Sequence, residues 1–158
     1  MRLLTDKLQP KEEKTVQLVV FQTADQNFAL PINRVTEILA YRKTTPLPQA
    51  APFLEGMIEV RGKVIPVFDL RKKLRMIEVT NDSHTRIMVL RIKNRTVGLI
   101  VDSVQRVVAL PEESLQPPPE TGIPYAESVL AVAVQDNELY IILDPEKLGI
   151  GSYGTPAD

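Results

Sequence analysis

Phe53-Leu54-Glu55-Gly56-Met57-Ile58-Glu59-Val60-Arg61-Gly62-Lys63-Val64-Ile65-Pro66-Val67-Phe68-Asp69-Leu70 is the stretch on which the reading of this chain turns. Two apolar runs, Met57–Val60 and Val64–Phe68, flank the short polar connection Arg61-Gly62-Lys63. Val- and Ile-rich runs on either side of a brief turn containing Gly predict a β-hairpin. Asp69 then stands where its carboxylate can accept from the first free N–H groups of a helix, so Leu70-Arg71-Lys72-Lys73-Leu74 is expected to begin a capped helical turn.

The same arrangement recurs along the chain. Val16–Phe21 and Phe28–Ile32 flank Asp25-Gln26-Asn27, and Ile87–Ile92 and Val97–Val101 flank Lys93-Asn94-Arg95. Leu130–Val134 and Leu139–Leu143 flank Gln135-Asp136-Asn137-Glu138. Asp144-Pro145 then opens a second helical turn that Gly149 ends. Leu18-Val19-Val20-Phe21 aligns without a gap on Ile87-Met88-Val89-Leu90, and at the same offset Phe28-Ala29-Leu30 meets Val97-Gly98-Leu99, Val35 meets Val104 and Ile38 meets Val107. Val64-Ile65-Pro66-Val67-Phe68-Asp69 resembles Leu139-Tyr140-Ile141-Ile142-Leu143-Asp144 in the same way. Apolar strands always look alike in composition, but here the order of elements and the Asp cap repeat as well. The reading is an internal duplication. It predicts a mainly β fold of two small five-stranded β-barrel lobes with short helical turns, sharing a seam that is a natural place for a groove. The expected organisation is a polar arm at 1–14, one domain at 15–150 and a Gly- and Pro-rich tail at 151–158 that frays. Lobe one would span about 15–80 and lobe two about 85–150, with exchange of strands between them left open.

Composition narrows the function by exclusion. The chain has 158 residues, 44% of them hydrophobic and 25% charged, which is ordinary globular usage. Nineteen basic and twenty acidic side chains leave a formal net charge of −1, a poor basis for holding a phosphate backbone, so no nucleic-acid partner is expected. The one basic run, Arg71-Lys72-Lys73-Leu74-Arg75, reads as a solvated helix face. There is no cysteine, which fits a reducing compartment. The N-terminus reaches charge after two leucines, and no apolar stretch approaches the roughly 18 residues of a membrane span. A cytoplasmic protein without membrane insertion is expected.

Catalytic chemistry finds little to work with. His84 is the only histidine and lies in the polar stretch Asn81-Asp82-Ser83-His84, as solvated loop histidines do. Asp69, Asp102 and Asp144 each follow an apolar strand, where cap and turn roles explain them better than acid–base pairing. Gly-rich phosphate loops are missing, and four Phe, four Tyr and no Trp make a thin platform for stacking bases. The expectation is a docking protein without enzyme activity, metal or cofactor.

The opening stretch resembles the most recognisable segment of the CheW-like domain, whose pattern runs F-(I/V)-x-G-(V/I)-x-N-L-R-G-x-(I/V)-(I/L)-P-(V/I)-x-(D/N)-L. Val35-Thr36-Glu37-Ile38 resembles the family's V-x-E-I step, Thr45-Pro46-Leu47-Pro48 its proline loop, and Val97-Gly98-Leu99-Ile100-Val101-Asp102-Ser103-Val104 its V-G-x-x-V-D-x-V hairpin. Pro117-Pro118-Pro119 sits where the family is Pro-rich. The resemblance covers about residues 15–148. It implies two SH3-like barrels and an adaptor role, with the cytoplasmic helical hairpin of a chemoreceptor on one side and the regulatory domain of a CheA-type histidine kinase on the other. Carried over by motif position, Val35, Glu37, Ile58, Val60 and Arg61 would line or border the receptor groove, and Leu47, Gly56 and Gly62 would belong to the kinase contact.

Each of these residues has a plainer alternative. Val35, Ile58 and Val60 can be core, Gly56 and Gly62 backbone turns, and Glu37 and Arg61 a surface ion pair. Glu59 stands where the family has Asn, and Ser128 replaces a common Gly. An adaptor of the same fold in pilus motility or second-messenger control is the nearest alternative function, and a small β-barrel nucleic-acid binder a more distant one.

Overall fold

Four two-residue turns organise the chain. Ala24-Asp25, Arg61-Gly62, Lys93-Asn94 and Asp136-Asn137 each place both residues at positive φ, from 47° at Lys93 to 80° at Gly62. Paired left-handed residues make the turn whose twist matches that of the flanking strands. They close the hairpins β1 (Thr15–Thr23) with β2 (Gln26–Pro31), β4 (Leu54–Val60) with β5 (Lys63–Asp69), β6 (Arg86–Ile92) with β7 (Arg95–Val101), and β9 (Val129–Gln135) with β10 (Glu138–Leu143). The other strands are β3 (Val35–Ala40), β8 (Ser103–Pro111) and the short β11 (Thr155–Pro156). Among the described residues there are also one α-helical turn, α1 (Leu70–Lys73), and the 3-10 turns η1 (Ile32–Arg34), η2 (Glu112–Ser114), η3 (Ala126–Ser128), η4 (Pro145–Leu148) and η5 (Gly151–Tyr153). This computed structural model describes residues 14–76 and 80–156, so the expected arm lies, apart from Lys14, outside the described residues.

The strands form two sheets. The first runs β8-β1-β2-β10-β9 and the second β3-β6-β7-β5-β4, with β11 beside β7. Replacing each strand of one order by its repeat counterpart gives the other order, and the parallel pairs β2–β10 and β5–β7 also correspond. The duplication read in the sequence is therefore a structural one. The exchange of strands that the sequence left open is present in the sheets. Each sheet takes its central hairpin from one half of the chain and its other three long strands from the opposite half.

The ladders do not close either sheet into a barrel among the described residues. Beyond β3 and β8 the chain reaches the opposite edge only through the single bridges Thr45↔Met57 and Gln116↔Val132. Both segments are rich in proline (Pro46 and Pro48, then Pro117–Pro119), which supplies no N–H to extend a ladder.

Alternation along the strands sorts the apolar residues into three cores. Leu18, Val20, Ala29, Tyr140 and Ile142 fill the interior of the first sheet. Ile58, Ile65, Val67, Ile87, Val89 and Ile100 fill that of the second. The intervening residues, Val19, Phe21, Phe28 and Leu30 from one side and Phe68, Met88, Leu90 and Leu99 from the other, meet in the seam between the sheets. Strands buried on both faces need unbroken apolar runs, which is why Leu18–Phe21 and Ile87–Leu90 read as they do.

Two sequence expectations are corrected here. Residues 151–156 pack against the body of the fold rather than extending from it: Ile150 is buried in the seam, the Tyr153 ring lies 5.7 Å from that of Phe68, and Thr155 Oγ1 donates to the Val64 carbonyl at 2.6 Å. Gly154 permits this close course, because a Cβ there would stand 2.8 Å from Arg95 Cβ. Nor is the basic run a uniformly solvated face. Arg71 turns inward and is 2% exposed, because Asp69, Asp102 and Asn81 gather around its guanidinium.

Candidate functional site

The second sheet ends in two edge strands, β3 and β4, and the residues of the V-x-E-I step lie on the first of them. Val35 pairs with Leu90 and Glu37 with Val89, so Thr36 is the extra residue of a β-bulge. A bulge re-aims the side chains beside it. Glu37 Oε1 comes within 3.7 Å of Arg61 Nη2, which projects from the tip of the β4–β5 turn with 82% of its side chain exposed. Val35 packs, half-buried, against the seam, and Val60 against the second-sheet core.

Ile58 is different. It is 6% exposed and its side chain belongs to the second-sheet core, so it supports β4 from within and offers no surface. The structure thus brings Glu37 and Arg61 together at the sheet edge, sets Val35 and Val60 as partly buried neighbours of the two cores, and buries Ile58.

The residues assigned to the kinase contact also separate. Leu47 is exposed on the loop after β3. Gly56 has φ +151°, and a Cβ on it would stand 2.3 Å from the Thr45 carbonyl oxygen, which accepts from Met57 N–H at 2.8 Å. Its requirement is the close approach of two backbones. Gly62, at φ +80°, has open space around it and serves the turn.

The first sheet carries a counterpart that the sequence reading did not single out. Val104 pairs with Phe21 and Arg106 with Val20, leaving Gln105 as the bulged residue, in the position of Thr36. Arg106 Nη2 donates to Glu138 Oε2 at 3.1 Å and also to the Tyr140 hydroxyl, which itself donates to Glu138 Oε2 at 3.0 Å. The Arg106 hydrogen bond, seconded by Tyr140, holds the Glu138 carboxyl below its ordinary range. Burial, with the bond to Glu138, raises the Tyr140 phenol. The signal was available: the repeat that aligns Val35 with Val104 also aligns Glu37 with Arg106.

The outer faces of the two hairpins differ in the same register. Leu130, Val134 and Leu139 are exposed on β9–β10, where the repeat places Glu55, Glu59 and Val64 on β4–β5. Three exposed large apolar side chains on one hairpin, two of them (Val134 and Leu139) cross-strand partners, are the kind of surface that protein contacts use. His84 is exposed, and its backbone N–H donates to Asp82 Oδ1 at 2.7 Å, which lowers the Asp82 carboxyl. Among the described residues no three His, Cys, Asp or Glu side chains are gathered as a metal would require, and no helix is long and apolar enough to cross a membrane.

The family model of the CheW-like domain matches residues 17–149. The chain belongs to the CheW-like domain family. It is 32% identical over 142 residues to the chemotaxis protein CheW of Treponema pallidum, covering 86% of this chain and 83% of that one. With CheW of Klebsiella aerogenes the identity is 30% over 133 residues, covering 84% and 80%. The crystal structure of the scaffolding protein TtCheW from Thermoanaerobacter tengcongensis superposes with a TM-score of 0.81 at 32% identity, covering 85% of this chain and 92% of that one.

Within the CheW-like family, the two departures of this chain are accommodated locally. Glu59 lies exposed on β4, and its backbone carbonyl accepts from Arg42 Nη2, which ties the strand edge to the segment after β3. Ser128 does not take a positive φ, so its side chain costs the turn no strain. Its carbonyl accepts from the N–H of Asp144 at 2.9 Å, which places the second cap.

Proposed function

We propose that this CheW-like chain is a non-catalytic cytoplasmic adaptor in chemotaxis signalling. One docking face takes the cytoplasmic helical hairpin of a chemoreceptor, and another takes the regulatory domain of a CheA-type histidine kinase. The observation that carries the reading is the pairing of two equivalent lobes with unlike surfaces. One presents Glu37 and Arg61 beside Val35 and Val60, the other an apolar face of Leu130, Val134 and Leu139. A single chain can then engage two partners at once, and bridging raises their effective concentration so that modest affinities build a lasting assembly. Arg61 supplies a fork of donors suited to a carboxylate or to helix-end carbonyls.

The test is a pull-down of the purified protein against the CheA-type kinase and the receptor cytoplasmic fragments of its own genome, separately and together. Binding to each, with a ternary complex favoured over either pair, is the expected result. Binding to neither would overturn the adaptor reading, and binding to one alone would remove the bridge.

A further inference from the structure

The apolar seam joins the two sheets by contacts that carry no direction, since apolar burial depends on area and not on angle. One polar cluster at the seam's edge does have direction. Asp102 lies between β7 of the second sheet and β8 of the first, where the chain crosses over. Its Oδ2 accepts from Ala24 N–H at 2.8 Å, and its own N–H donates to the Gln22 carbonyl at 3.0 Å, both in the β1–β2 hairpin. Its Oδ1 accepts from Arg71 Nη1 at 3.2 Å.

Arg71 belongs to α1, directly after β5 of the second sheet, and its side chain is 3% exposed. It grips Asp69 with two donors, Nε to Oδ1 at 2.9 Å and Nη2 to Oδ2 at 3.0 Å, and Nη2 also reaches Asn81 Oδ1 at 2.8 Å. Asp69 in turn accepts from the Arg71 N–H, so the cap and the ion pair are one unit. At the other crossover, between β2 and β3, Arg34 of η1 meets Glu146 of η4 at 3.0 Å. Glu146 is the residue that the repeat aligns with Arg71, with the charge reversed and about a third or more of each side chain open to water. Arg34 itself aligns with Ser103, one residue past Asp102, so the two crossovers are tied by similar but not identical positions; the more buried tie is geometrically exacting, and the exposed one is screened.

We propose that Arg71 and Asp102 are positioning residues: with Asp69 and Asn81 they fix the register of one lobe against the other, and docking on one lobe reaches the other through them. The second part rests on the adaptor reading above; the first stands without it. Buried polar networks are best attested in this use, where they select one arrangement among apolar contacts that would tolerate several.

The chain lacks cysteine, so Val64→Cys with Leu139→Cys places one spin label on each sheet at exposed sites. Pulsed dipolar spectroscopy then reads the distance between lobes with no partner present. Asp102→Asn and Arg71→Lys, which keep size or charge but break the fork, are expected to shift or broaden the distance distribution by about 1–2 Å, the scale on which packed elements slide. Asn81→Ala carries the same test should either variant fail to fold. Val67→Ala, which loosens the second-sheet core alone, and Arg34→Ala are expected to leave the distribution unchanged. An unchanged distribution in the network variants, or equal broadening in Val67→Ala, would overturn the register role. With kinase and receptor fragments in hand, Asp102→Asn is expected to keep each separate affinity and lose the enhancement of one by the other. Retained enhancement would overturn the second part while leaving the first intact.

Discussion

Glu37 and Arg106 occupy the same position in the two sheets and carry opposite charges. Each follows a β-bulge in an edge strand, each lies opposite an aligned valine (Val89 for Glu37, Val20 for Arg106), and each reaches toward the tip of the next hairpin of its own sheet. The duplication kept the geometry and inverted the electrostatics. Two faces that share a shape but differ in charge can tell partners apart, because like charge placed against like is a penalty that attraction elsewhere must overcome.

Arg61→Glu sets a carboxylate beside Glu37 at a site where the wild-type pair is 3.7 Å apart, with Arg61 mostly solvated and Glu37 largely covered. Stability is expected to change by less than about 1 kcal/mol, as for exposed pairs generally. Affinity for the receptor fragment is expected to fall about tenfold, or ~1.4 kcal/mol. Calorimetric titration with a parallel thermal melt separates the two; a folded variant with unaltered affinity removes Arg61 from the contact. Glu37→Lys should show the same selective loss.

Ile58→Ala asks the opposite question. Its side chain fills the second-sheet core, so truncation is expected to cost about 2–5 kcal/mol in denaturant unfolding. Receptor affinity of the folded variant should stay within the error of the titration. An affinity loss without a stability loss would return Ile58 to the binding surface.

Two glycines of the same hairpin should respond unequally. Gly56→Ala drives a methyl toward the Thr45 carbonyl, where the backbone has no room to yield without breaking the Thr45–Met57 bridge. Gly62→Ala meets nothing and bears only the left-handed penalty of about 1–2 kcal/mol. Urea midpoints should place Gly56→Ala well below Gly62→Ala, and equal midpoints would show that the loop after β3 adjusts freely.

Glu138 supplies a pH signature. Its folded carboxyl titrates below the ordinary value of 4.5 because Arg106 and Tyr140 bond the charged form. A lowered acid contributes stability that is fully present above that ordinary value and is lost as pH falls through the folded one. Glu138→Gln should therefore be less stable than wild type near neutrality, with the gap narrowing as the pH is lowered below 4.5. A gap that is constant through the acid limb would mean that the carboxylate is not what Arg106 stabilises.

Removing residues 151–158 should lower stability by about 1–3 kcal/mol, since it uncovers the Phe53 and Phe68 rings and breaks the Thr155–Val64 bond. A loss near zero in urea would restore the reading of a frayed tail.

The hairpins and the duplication were legible because both rest on local chemistry: period-two apolar runs, turn residues and the Asp caps at Asp69 and Asp144, each of which accepts from the N–H two residues on. What sequence could not show is partnership at a distance. Nothing in composition distinguishes Arg71 from Lys72 and Lys73, yet Arg71 alone of the three is fully buried, because Asn81 and Asp102, 10 and 31 residues away, join Asp69 around its guanidinium. Ile58 and Val60 look alike as strand apolars, and only the packing of the second-sheet core decides that Ile58 is buried and Val60 partly open. The tail misled because Gly and Pro were read as looseness, whereas Gly154 permits close packing and Tyr153 anchors it.

The exchange of hairpins between the halves also governs how the protein is made. The β1–β2 hairpin precedes both of its neighbours in the sheet: β8 and β10 are made only after β3 to β7. At about 5–20 residues per second, its two bare edges wait for several seconds before their partners exist. Neither sheet can be assembled from one half, but the second has all five of its long strands once β7 ends at Val101, whereas the first must wait for β10, so the lobe that is begun first is the one completed last.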